Sequence, residues 1–66
     1  MHPEDIKATL RKRGFRQADI ARALGVSKTA VNYVIVGKTQ SARVAHGVAA
    51  AAGLPVEALW PGRYAP

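Results

Sequence analysis

Two short helical patterns in this chain are separated by a single tripeptide. In "IARALGVSKTAVNYVIVGK", Ile20 to Lys38, apolar residues recur at helical spacing before Gly25 and again after Ser27, with only Val26 between them. Gly25 suits the end of a helix, because a residue without Cβ adopts the left-handed conformation at little cost. Ser27 suits the start of the next, because its hydroxyl takes one of the N–H groups that a first helical turn leaves unpaired. Two helices joined so tightly meet at a steep angle. The joint needs a small residue at the crossing, a turn residue that tolerates positive φ, and apolar side chains to lock the angle. Ala21, Gly25 and the set Ile20, Leu24, Val26, Val31 and Val34 supply all three, which describes a helix-turn-helix over about 17–36.

The flanks read as further short helices. Pro3, whose missing N–H costs nothing at a first helical position, opens a helix that runs to about Arg13. Glu4 and Asp5 stand at its positive end and Arg11, Lys12 and Arg13 at its negative end. Gly14 stops it, Ile6 and Leu10 face inward, and Phe15 is expected to anchor the core. Helix two spans about Gln17 to Leu24, and helix three about Lys28 to Val36 with Val31, Val34 and Ile35 turned inward. Ser41 is expected to cap helix four, Ala42 to Ala52, which ends at Gly53 and buries Val44, Val48 and some of its alanines. "LPVEALWPG" reads as a last helical turn between Pro55 and Pro61. The expected fold is all-α, a compact bundle of about five short helices in one domain, 1–66.

A chain of 66 residues buries only about 60% of its unfolded surface, and without cysteine it has neither disulfide nor thiolate metal site to stiffen it. Ten Lys/Arg against four Asp/Glu leave a net charge of +6, which favours polyanions, nucleic acid before anionic membrane. No run approaches the roughly 20 apolar residues that cross a bilayer, and "MHPEDIKATL" begins polar and acidic, unlike a signal peptide. A cytoplasmic protein is expected.

The outward face of helix three carries the chemistry. Thr29, Asn32, Tyr33 and Val36 follow i, i+3, i+4, i+7 spacing opposite the inward valines, with Lys28 at the tip and no acid among them. An α-helix fits the major groove of duplex DNA, where such side chains address base edges. Lys28 suits guanine O6 and N7, Asn32 adenine N6 and N7, Thr29 either kind of edge, and Tyr33 a sugar or phosphate. Arg16 and Gln17 at the start of helix two, and Lys38 and Arg43 around the loop after helix three, are the expected phosphate contacts, helped by the free N–H groups of helix two. An ordinary solvated helix face is the competing reading. For Lys7, Arg11 and Lys12 on helix one, solubility and long-range attraction are expected.

"QADIARALGVSKTAVNYVIVGK", Gln17 to Lys38, resembles the helix-turn-helix of the phage λ repressor and Cro superfamily. "HPEDIKATLRKRG" at the start and "ALWPGRY" at the end extend the resemblance to the Ner-like regulators of Mu-type phages and their bacterial Nlp relatives, over roughly Met1 to Tyr64. The resemblance implies a small DNA-binding transcriptional repressor of phage or prophage origin. It places a phosphate contact at Gln17 and base contacts at Lys28, Thr29 and Asn32. One departure stands out. The first recognition position of the family is often Gln, which prefers adenine, whereas Lys28 prefers guanine, so an operator sequence does not carry over.

One domain reads few base pairs, so two copies are expected on a repeated site, about 34 Å apart. Leu59 and Trp60 are the candidate interface, with a cap on the monomer's own core as the alternative. The other functional class that fits is a protein-interaction module or antitoxin-like adaptor built on the same fold. His46 has no second ligand at metal spacing, and Asp19 and Glu57 have no nucleophile between them. No metal, cofactor, small-molecule ligand or enzymatic activity is therefore expected.

Overall fold

The computed structural model describes residues 1–64. They form α1 (Pro3–Lys12), α2 (Gln17–Leu24), α3 (Lys28–Val36), α4 (Ala42–Ala52) and α5 (Val56–Leu59), with no strand among the described residues. The helices begin where side chains can satisfy first-turn N–H groups. His2 Nδ1 accepts from the Glu4 amide at 3.1 Å, Ser27 Oγ from Ala30 at 3.0 Å, and Ser41 Oγ from Val44 at 3.3 Å. Asp19 works in the reverse direction, its carboxylate accepting the Arg16 amide at 3.0 Å just before α2.

α4 is the hub, packing on each of the other four helices. Its composition permits this: Ala45, Ala49 and Ala52 are buried together with Val44 and Val48. Gly47 takes the idea further. A Cβ there would stand 2.8 Å from Leu24 Cδ1, so the Leu24 side chain rests directly on the α4 backbone and would have to shift to admit one. Around α4 the core collects Ile6 and Leu10 from α1, Ile20 and Ala21 from α2, and Val31, Val34 and Ile35 from α3.

Two expectations need correction. Phe15 is not a core anchor: it remains 40% exposed. α1 ends in a tight reversal in which the Phe15 amide donates to the Leu10 carbonyl at 2.9 Å, and the ring lands on a shallow surface groove shared with Ile20, Ala23, Leu24 and Gly47. Leu59 and Trp60, the candidate interface, are 0% and 7% exposed. They close the monomer's own core, so neither is free to meet a second copy.

The segment after α5 fastens the loop between α3 and α4. Trp60 Nε1 donates to the Ile35 carbonyl at 3.5 Å, and Arg63 donates to the Gly37 carbonyl at 2.9 Å. Gln40 Nε2 donates to the Arg63 carbonyl at 3.3 Å, and the Ser41 amide donates to the Tyr64 hydroxyl at 3.4 Å. The Trp60 and Tyr64 rings meet edge to face, centroids 5.5 Å apart. At the other terminus, the Met1 ammonium donates to the Leu59 carbonyl at 2.9 Å.

The turn at Gly25 has φ +72, and a Cβ built there meets nothing within 4 Å. The whole cost of a side chain is therefore in the backbone. Gly25→Ala is expected to destabilise the domain by about 1–2 kcal/mol in urea unfolding, with Gly25→Asn costing less.

Candidate nucleic-acid interface

The turn delivers α3 to the surface with one face spent on the core. Gly25 lets the Val26 amide reach back to the Ala21 carbonyl at 3.0 Å, and Ser27 restarts the helix at once. With Val31, Val34 and Ile35 buried, the remaining face must point outward. Lys28, Thr29, Tyr33 and Val36 are exposed and Asn32 is half-buried. All four expected base-contacting residues thus share one surface.

Two adjoining concavities extend that surface toward α1 and α2. One, of about 420 Å³, is lined by Gln17, Lys28, Thr29 and Asn32. The other, of about 330 Å³, runs from Gln17 and Lys28 to Arg16, Lys7 and Arg11. Gln17 and Lys28 belong to both. The start of α2 and the start of α3 therefore share one continuous surface, as a helix-turn-helix requires if both are to meet one ligand.

Lys7 and Arg11, expected to act mainly at long range, join this surface directly. Their i, i+4 spacing places them on one face of α1, but only the packing of α1 on its neighbours turns that face toward Arg16 and Lys28. Arg43 stands apart from both concavities. Its guanidinium donates to the Leu24 carbonyl, a cation held at the negative end of α2. Lys38 lies over the Tyr33 ring, Nζ 4.9 Å from the centroid, so these two side chains occupy the carbonyl end of α3 as a pair.

α3 itself carries no acid, and three of the chain's four acids have partners. Glu4 pairs with Lys7 at 3.3 Å, and Asp19 is shared between Arg16 at 3.4 Å and Arg22 at 3.6 Å. Glu57 accepts from the Gly62 amide at 3.0 Å. α3 has no acid in its first turn.

Gln17 carries an unusual feature. Its Oε1 is buried and has no hydrogen-bond partner among the described residues. A buried acceptor left unpaired costs about 1–3 kcal/mol, and this one belongs to a residue that lines the concavity shared with Lys28 and Asn32. Among the described residues, no group of three or more His, Cys, Asp and Glu is arranged to hold a metal ion, and no helix is long and apolar enough to cross a membrane.

Comparison with known proteins agrees with the helix-turn-helix part of this geometry. A family model described as winged helix-turn-helix DNA-binding matches residues 1–66. No curated protein and no solved structure matches the chain significantly.

Asp19 ties the start of α2 to pH. The Arg16 amide first, then the Arg16 side chain, hold its carboxyl below the usual carboxylate range. A lowered folded-state value means that the carboxylate stabilises the folded chain above its unfolded-state value, and that this support fades as pH falls through the folded-state value. Asp19→Asn is expected to lower the melting temperature at neutral pH. The gap between the two proteins closes on acidification.

Proposed function

We propose that this chain, which belongs to the winged helix-turn-helix DNA-binding family, is a transcriptional regulator that reads duplex DNA with α3 in the major groove. The observation that carries the reading is the acid-free outward face of α3, continuous through Gln17 and Lys28 with Lys7 and Arg11 on α1 and Arg16 just before α2. A solvated helix needs no such continuity, and a ligand bridging two helix starts does.

In this reading, base contacts come from Lys28, Thr29, Asn32 and Tyr33. Lys28 at the tip reaches guanine O6 and N7, Asn32 pairs with adenine N6 and N7, and Thr29 offers a hydroxyl and a methyl. Tyr33, with Lys38 over its ring, lies toward the sugar-phosphate edge of the groove. Gln17, at the start of α2, donates its Nε2 to a phosphate. Arg16, Lys38 and Arg43 supply further phosphate contacts, Arg43 from the α2–α4 seam with the N–H groups that Leu24 does not occupy.

The biological role that follows is Ner-like repression, in a phage or prophage setting within the bacterial cytoplasm, by occluding polymerase. Two copies on repeated half-sites provide enough base pairs for specificity. With Leu59 and Trp60 spent on the monomer core, DNA itself brings the copies together. Control is by protein concentration.

Selection of bound duplexes from a random pool, followed by gel shifts on the selected site and on scrambled DNA, tests the proposal. Lys28→Ala is expected to lose about 1–3 kcal/mol on the selected site and much less on scrambled DNA. Equal losses on both would remove base reading from the account. Lys38→Ala is expected to flatten the plot of log affinity against log salt by about 0.9, the share of one phosphate. A domain that ignores duplexes even in dilute salt is instead a protein-interaction module.

A further inference from the structure

The C-terminal segment 60–64 is attached to the recognition helix by more than apolar packing. Arg63 lies against Gly37, the residue that ends α3: its guanidinium carbon and both terminal nitrogens are 3.9 Å from where a Gly37 Cβ would stand. Nη2 donates to the Gly37 carbonyl at 2.9 Å. The next residue is Lys38, whose ammonium sits over Tyr33. Two cations therefore flank the carbonyl end of α3, and neither forms an ion pair with a carboxylate among the described residues.

A helix cap explains only part of this arrangement. A guanidinium has five N–H donors in a planar fork, and the hydrogen bonds of the described residues engage one of its nitrogens, on Gly37. The side chain is exposed. Its backbone is also held, because the Arg63 carbonyl accepts from Gln40 at 3.3 Å. On one side Tyr64 receives the Ser41 amide, and on the other Trp60 reaches the Ile35 carbonyl. A cation on an unsupported tail would lose much side-chain and backbone entropy on meeting a ligand. This one is positioned in advance, and its planar fork matches the oxygens of a phosphate.

We infer that Arg63 is a DNA-contacting residue supplied by the C-terminal segment. It holds the Gly37 carbonyl with one nitrogen and grips a backbone phosphate next to that of Lys38 with the others. Trp60 and Tyr64 are positioning residues that hold the 37–41 loop and Arg63 in one register. The inference rests on the DNA-binding reading above and adds a second clamp at the far end of α3.

Three variants and one scan test it. Arg63→Gln keeps a donor for the Gly37 carbonyl and removes the charge. It is expected to melt close to the wild type and to bind with a salt slope shallower by about 0.9, so that affinity falls about 3-fold less between 50 and 200 mM salt. Arg63→Lys is expected to retain the wild-type slope with weaker binding. Tyr64→Phe, which keeps the ring against Trp60 and deletes the hydroxyl, is expected to weaken binding to selected and scrambled duplexes by the same factor. If the wild type binds duplexes and Arg63→Gln keeps the full slope, Arg63 is a helix cap only and this inference alone fails. If the wild type binds no duplex, both fail. Should Arg63→Gln not fold, a methylphosphonate scan of the selected site with Lys38→Ala protein decides. One neutralised phosphate beside that of Lys38 must still reduce binding, and the absence of any such position overturns the assignment.

Discussion

The hydrogen-bond ladder of one helix must stop at Leu24 and that of the next must start at Lys28, and everything useful about α3 depends on how that is done. Gly25 takes a φ that other residues resist, the Val26 amide turns back to Ala21, and Ser27 satisfies the new first turn. These local contacts set the angle between α2 and α3. A different angle would still bury Val31, Val34 and Ile35 somewhere, but would part Lys28 from Gln17 and break the shared surface on which both lie. Gly47 gives the angle a second support from outside the turn, by letting Leu24 settle on the backbone of α4.

A domain of this size has little apolar surface to spare, and the structure shows how thinly it is spread. α4 serves as a partner for every other helix because its buried face is mainly alanine and valine, so four neighbours can come close to one short rod. Small side chains give short approach distances but little buried area each. Larger side chains come from the other elements: Ile6 and Leu10 near one end, Ile20 and Ile35 in the middle, and Leu59 and Trp60 near the other end. The C-terminal residues thereby acquire two consequences at once. They complete the core, and they carry Arg63 to the C-terminal end of α3.

The helices were legible because their limits are short-range matters. Ser27, Ser41, Gly25, Gly37 and Gly53 each act within a turn of where they stand, so spacing alone located α2, α3 and α4. The inward stripe of α3 was legible for the same reason, and with it the opposite face that carries Lys28, Thr29, Asn32 and Tyr33. Phe15 was misread because hydrophobicity reports a preference for burial, not the space available. After the reversal at Gly14 the chain has room for that ring only on the surface. Leu59 and Trp60 were open to two readings because an apolar pair near a terminus looks alike whether it faces the same chain or another.

Taken alone, then, the amino-acid order determined where the helices begin and end, which face of each is apolar, and that the balance of charge is strongly positive. The first two depend on neighbours within about one helical turn, and the third is a sum over composition. Only the tertiary structure decided which charges act together. Lys7 and Arg11 meet Arg16 and Lys28 because α1 packs where it does, Arg43 turns instead to the end of α2, and Arg63 reaches Gly37 across 26 positions of chain. Such groupings depend on how helices are placed against one another. That placement is set by the fit of many side chains at once, among them the absence of one at Gly47, and no local pattern encodes it.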